Sequence, residues 1–270
     1  MIDAYHMYLN ASEVLVRRQT GWWRWRRIEN VARWQWDAVA PESMEFNALN
    51  LRKRRFSTLT VHVGSALAKF MLVELPAGLQ NEREEVVAVQ AQMQQQLGLN
   101  PGQWEYTLDH LPGRRRVVAC ALRADIGARL RQLAHDRGMR LQSIRPLVVG
   151  VWNAWQMRRP PQAEASNGTR ALMMVERDAF TTILEKDGNL DAMSAMAHRR
   201  EEDLINREVR RMASLAEDAQ LHIRLAVTED LLPLTRLHAE KVMQLEDYLQ
   251  QSVYADFRDL LFPSPGRAVS

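Results

Sequence analysis

The side chains best equipped for chemistry in this chain are few: one thiol, Cys120, seven histidines, the carboxylate pairs Glu84-Glu85 and Glu201-Glu202, and the acidic residues Glu176 and Asp178. A cysteine acts as a nucleophile only as thiolate, which needs a nearby cation or helix N-terminus. Cys120 lies in the apolar run Val117 to Leu122 and reads as an inert core thiol. His6, His62, His110, His135, His198, His222 and His238 show no metal-ligand spacing. The two Glu pairs fall near expected helix starts, where carboxylates favour the helix dipole. There is no G-x-S-x-G elbow, no Walker-type phosphate loop and no H-E-x-x-H motif.

Binding chemistry is better represented than catalytic chemistry. Trp22-Trp23-Arg24-Trp25-Arg26-Arg27 combines residues that form interface hot spots, sit at anionic membrane surfaces or stack on nucleic acid. Trp25, Trp34 and Trp36 fit alternate core positions of a strand. Trp22 and Trp23, beside Gly21, fit an exposed turn with a binding role. Arg52-Lys53-Arg54-Arg55 and Arg114-Arg115-Arg116 are short basic runs. Each charge resting on an anionic bilayer contributes about 1 kcal/mol.

The elements that must carry these residues alternate between strand and helix. Ala4 to Leu9 and Glu13 to Arg18 read as strands around the polar turn Asn10-Ala11-Ser12, followed by a strand over Ile28 to Trp36. A short helix is expected over Glu42 to Leu51, then strands over Ser57 to Val63 and Lys69 to Leu75. Val86, Val89, Met93 and Leu97 share a helical face, and Gly98 supplies the stop. A hairpin over Trp104 to Leu111 and Arg116 to Leu122 follows, then a helix carrying Ile126, Leu130 and Leu133. A strand over Arg140 to Ile144 and a helix over Leu147 to Met157 complete this half. After Arg159 to Thr169, rich in proline and small polar residues, the pattern restarts. Strands are expected over Arg170 to Glu176, Thr181 to Glu185 and Leu190 to Met196, with Asp187-Gly188 as a turn. A helix carrying Ile205, Val209, Met212 and Ala216, a strand over Leu221 to Ala226, and helix-prone sequence to about Leu261 follow.

Both halves thus open with three strands, a helix and a further strand, which points to two α/β lobes. At 270 residues the chain is long enough for a sizeable core. The 36 basic against 33 acidic residues leave a formal charge of +3, too weak an excess to argue for nucleic acid. A single cysteine allows no internal disulfide and fits a reducing compartment. No apolar run reaches the length of a membrane span, and no secretory leader is apparent. A cytoplasmic location is expected.

Duplicated β-β-β-α-β lobes resemble the actin-like superfamily. Within it, Leu59 to Trp155 is similar to the PilM, GspL and MshI group, cytoplasmic parts of type IV pilus and type II secretion platforms. The resemblance lies in TVHVGSALAKFMLVELPAGL, VVAVQAQMQQQLGLNPGQWEYTLDHL and RRVVACALRADIGARLRQLAHDRGMRLQSIRPLVVGVWNAW, in that order. It implies an actin-like (RNase H-like) two-lobed α/β fold. The first lobe would span 1–158, with an inserted α/β subdomain at about 76–145. A linker at 159–169 and a second lobe at 170–270 would complete the chain.

The resemblance also implies where nucleotide would bind: two hairpins with Asp-x-Gly turns for phosphates, and a Gly-Gly turn near the nucleoside. Glycine lets backbone amides approach phosphate closely. Here the first hairpin has Asn10 and Ser12 without glycine. The second reads Glu176-Arg177-Asp178-Ala179-Phe180, where Arg177 and Phe180 are expected to crowd the phosphate space. The third has Val227 and Thr228 in place of Gly-Gly, followed by Glu229-Asp230. The nucleotide site therefore reads as degenerate, with no catalytic residue, cofactor or metal. The implied function is a non-catalytic scaffold, peripheral at the inner membrane. Its partner would be the short cytoplasmic segment of a bitopic membrane protein, with an assembly ATPase as a further partner. Trp22, Trp23, Arg24, Arg52, Lys53, Arg54 and Arg55 are the expected partner or membrane contacts. Two rivals stand beside it, a divergent ATPase using Glu176 or Asp178 and a basic nucleic-acid-binding protein.

Overall fold

The computed structural model describes residues 3–20, 27–36, 57–111, 115–157, 169–197, 207–208, 211, 222–227 and 255–256. The chain divides into two compact units, Met1–Val63 with Leu67–Pro146, and Gly64–Ala66 with Leu147–Ser270.

The first unit is organised by a five-stranded sheet. Strands β1 (Ala4–Leu9), β2 (Glu13–Thr20) and β3 (Arg27–Gln35) form an antiparallel meander. β4 (Thr58–Val63) adds parallel to β1, and a later strand, Arg140–Pro146, adds parallel to β4. In register, Leu9 lies opposite Val14 and Val63, and Tyr8 opposite Leu15 and His62. Side chains alternate across a pleated strand, so each strand sends odd and even residues to opposite faces. Tyr5, Met7, Leu9, Val14, Val16, Leu59, Val61 and Val63 make one face an apolar core. The other face carries the polar residues His6, Thr60, His62 and Arg145 on neighbouring strands, beside the buried Tyr8 and Leu15.

Between β4 and that last strand lies a second sheet. It is built from β5 (Ala68–Glu74), β6 (Trp104–His110) and β7 (Arg116–Arg123) in the order β5-β7-β6, all antiparallel. Helix α1 (Glu82–Leu97) buries Val89 and Met93 against Val73, Val117, Ala119 and Ala121 of this sheet. Its start is set by Asn81, whose Oδ1 accepts the Glu84 N–H and whose Nδ2 donates to the Glu84 carboxylate. Its end is set by Gly98 at φ +67°, a conformation that costs glycine nothing. The face expected from the sequence is narrower than its spacing implies, because Leu97 is exposed on the last turn. Helix α2 (Ala124–Asp136) then lays Ile126, Leu130, Leu133 and Ala134 on the main core. Burying each such side chain contributes about 1.5–3 kcal/mol. β8 (Arg140–Pro146) completes the five-stranded sheet. The small sheet therefore begins at Ala68 rather than near 76, and 140–146 belongs to the main sheet.

The second unit repeats the first. Helix α3 (Leu147–Met157), expected at the end of the first lobe, groups with this unit. β9 (Thr169–Val175), β10 (Ala179–Lys186) and β11 (Asn189–Ala197) form the meander. β12 (His222–Val227) runs parallel to β9, and β13 (Ala255–Asp256) parallel to β12. The order β11-β10-β9-β12-β13 matches β3-β2-β1-β4-β8 strand for strand. Asp187 and Gly188 both have positive φ, which makes a two-residue hairpin turn whose twist suits the strands. The helix expected over Glu42 to Leu51 lies outside the described residues, as does most of the one carrying Ile205 and Met212.

Candidate functional site

The duplicated meander gives each unit a hairpin at the same place, and these two turns are where the resemblance led us to expect phosphate. In the first unit the turn is two residues, Ala11 and Ser12, closed by the Asn10 N–H donating to the Glu13 carbonyl at 3.1 Å. Asn10 is fully buried. Its Oδ1 accepts the Ser12 N–H at 2.9 Å and the Glu13 N–H at 2.7 Å, and its Nδ2 donates to the Tyr8 hydroxyl at 3.0 Å. The Trp36 indole N–H donates to the Asn10 carbonyl at 2.7 Å. An anion could be held here only by taking those amides from a carboxamide already in place, with the buried Glu13 carboxylate beside them. Glu13 is in turn paired with Arg33 at 2.9 Å.

In the second unit the Glu176 N–H donates to the Ala179 carbonyl at 2.8 Å, so Glu176 stands where Asn10 stands in the first. Its carboxylate is buried and Oε2 accepts the Ser65 N–H at 2.9 Å. Asp178 is half-buried and itself engaged. Phe180 is 1% exposed and pairs with Val175 and Met196 in the ladder, so its ring is a packing element. The backbone of Val227 ends β12 opposite Val175, and Thr228 lies outside the described residues.

The other candidates resolve into structural roles. Burial pushes the Cys120 thiol up to about 12, against the smaller opposing effect of a bond with Thr107. Glu84 caps α1, and Glu85 meets His110 at 2.8 Å. Trp36 enters the core from just beyond the end of β3, which stops at Gln35 rather than at Trp36. Trp22, Trp23, Arg24, Arg52, Lys53, Arg54, Arg55, Arg114 and the pair Glu201-Glu202 lie outside the described residues. A pairing missed by sequence spacing is His6 with His62, stacked with ring centroids 6.5 Å apart across β1 and β4. Burial first, then Arg145 and His6, lower the His62 pKa to about 3, and burial also lowers that of His6. Among the described residues, no group of three or more His, Cys, Asp or Glu could hold a metal ion, and no helix is long and apolar enough to cross a membrane.

Two units with the same mixed-sheet order, each opening on an antiparallel meander, define an actin-like fold. Solved structures bear out the class. A Bacteroides thetaiotaomicron protein with an actin-like ATPase fold and unknown function aligns over 97% of this chain and 96% of its own, at TM-score 0.61 and 12% identity. The cytoplasmic domain of EpsL, an inner-membrane component of the Vibrio cholerae type II secretion system, aligns over 83% of this chain and 82% of its own. Its TM-score is 0.52 and its identity 12%. A PilM–PilN type IV pilus biogenesis complex aligns over 92% of this chain and 78% of its own at TM-score 0.45 and 12% identity, too distant to discriminate within the fold. No family model and no curated protein matches the chain.

Proposed function

We propose that this protein is a non-catalytic scaffold of the PilM/GspL type, an actin-like protein that binds partners without using nucleotide. One observation carries the reading: the buried Asn10 carboxamide takes the two turn amides that a phosphate would need. Displacing it leaves a buried polar group to be re-satisfied, a cost of about 1–3 kcal/mol before any ligand binds. The fold shared with the cytoplasmic domain of EpsL supports a secretion or pilus machine as the setting. The partner in this reading is the short cytoplasmic segment of a bitopic inner-membrane protein, with an assembly ATPase as a second. Trp22, Trp23, Arg24 and Arg52 to Arg55 are the proposed contacts with partner or membrane. Charge reversal across both segments that leaves anionic-liposome binding unchanged removes them from that role.

A thermal-shift titration with Mg-ATP and Mg-ADP tests the central claim. A ligand at a hundred times its dissociation constant stabilises by about 2.7 kcal/mol, or roughly 5–10 °C for a protein of this size. A flat response to millimolar nucleotide is expected. A rise of that order overturns the reading and revives a divergent ATPase using Glu176 or Asp178.

A further inference from the structure

Strands β1, β4 and β8 bring three basic side chains together on the face of the first sheet opposite its apolar core. In register, Thr60 lies between His6 and Ser143, and His62 between Tyr8 and Arg145. Residues opposite one another in a ladder point to the same face, so His6, Thr60, His62, Ser143 and Arg145 share it. His6 and His62 stack, and both feel the Arg145 charge. Burial first, and then that charge, hold the His62 pKa at about 3. Burial also lowers the His6 pKa, against a bond with Gln19 and with a smaller push from Arg145 in the same direction. Negative charge is scarce here. Among the described residues of β1, β2, β4 and β8, the one carboxylate on this face is Glu13, which Arg33 holds at 2.9 Å. Register adds a further guanidinium, Arg17, opposite His6. Among the described residues, the Arg145 Nε and the Ser143 hydroxyl are shielded from solvent and have no hydrogen-bond partner. Desolvated charges and hydroxyls persist in proteins when a partner satisfies them. The Arg145 charge disfavours a metal ion beside the two imidazoles. An oxyanion suits the set, accepting from a guanidinium, a hydroxyl and the N–H that a neutral imidazole still offers.

We propose that His6, His62, Ser143 and Arg145 form a binding site for a small oxyanion of the phosphate or sulfate class on the β1–β4–β8 face of the first unit. Arg145 is half-buried and supplies the charge. His62 and Ser143 supply neutral donors on either side of it. The site uses strand side chains and none of the groups at Asn10 or Glu176, so it stands or falls separately from the scaffold reading.

The test is a titration of the full chain with sodium phosphate and with sodium sulfate, at neutral pH and with ionic strength held constant by sodium chloride. Binding is read from the NMR signals of the histidine imidazoles and from Tm. The His6 and His62 signals should shift saturably and Tm should rise, while exposed His110, paired with Glu85 by the small sheet, does not respond. Arg145→Gln removes a charge-assisted contact and should weaken phosphate binding about 10- to 100-fold. Arg145→Lys, which keeps the charge, should recover part of it. His6 and His62 signals that stay unmoved at tens of millimolar phosphate overturn the proposal, even if Tm rises, because the anion then sits elsewhere. An Arg145→Gln protein that binds phosphate as tightly as wild type overturns it too. If that variant does not fold, the wild-type imidazole titration decides alone.

Discussion

Acidification should unfold this protein through His62, and replacing that residue should remove a measurable part of the effect. His62 is 4% exposed on the polar face of the first sheet, stacked on His6. Burial, the Arg145 charge and His6 lower its pKa from 6.5 to about 3. The unfolded chain then binds a proton near pH 6.5 that the folded chain refuses, so the folded state loses stability as pH falls from about 6.5 towards 3. The loss attributable to His62 is roughly 0.8 kcal/mol at pH 6 and about 2 kcal/mol at pH 5, from a slope of about 1.36 kcal/mol per pH unit. His6 adds to it in the same direction. The assay is urea unfolding of wild type and His62→Gln at pH 7.5 and 5.0. The variant should lose about 2 kcal/mol less than wild type between the two pH values, whatever its stability at pH 7.5. Carboxylates elsewhere titrate equally in both proteins, so they cancel in the difference. Equal losses would refute the argument that a buried neutral imidazole governs the acid limb.

Asn10→Ala should cost about 2–3 kcal/mol, because it strips two buried amides of their acceptor, and should lower Tm by roughly 5–10 °C. Asn10→Asp, which keeps the acceptor oxygen, should recover part of this in the same melting experiment. Glu185 is 1% exposed and accepts from Arg170 at 2.5 Å and Gln156 at 2.9 Å. Glu185→Ala removes the buried carboxylate that Arg170 and Gln156 share, a loss of about 1.5–3 kcal/mol in denaturant unfolding. The Cys120 thiol, held neutral by burial, should resist Ellman's reagent at pH 8 in the native protein and react promptly in urea.

Local order was readable where turn chemistry and periodicity agree. The ranges Ala4–Leu9 and Leu147–Met157 coincide with expectation, and Asp187-Gly188 and Gly98 stop their elements through positive φ. The parallel pairings of β1 with β4 and β9 with β12 have no local signature in the sequence. The absence of glycine at 10–12 was legible, but the consequence was not. Asn10 supplies the acceptor for both turn amides, and an Asn two and three residues before them is the signal that could have shown it. The Glu176–Ser65 bond spans too much sequence for any spacing argument.

The small sheet interrupts the main sheet of the first unit in sequence. Thr60 and Gln142, neighbours across β4 and β8, are 82 residues apart. Closing so long a loop in an unfolded chain is slow and entropically costly. The intervening stretch shortens it, since β6 and β7 pair as a nearby hairpin and α1 packs on the sheet they form with β5. Once they form, the ends of β4 and β8 are separated by structure rather than by coil. During synthesis, β1 to β4 must wait unpaired on one side until Pro146 has emerged, and the small sheet is the part able to fold meanwhile.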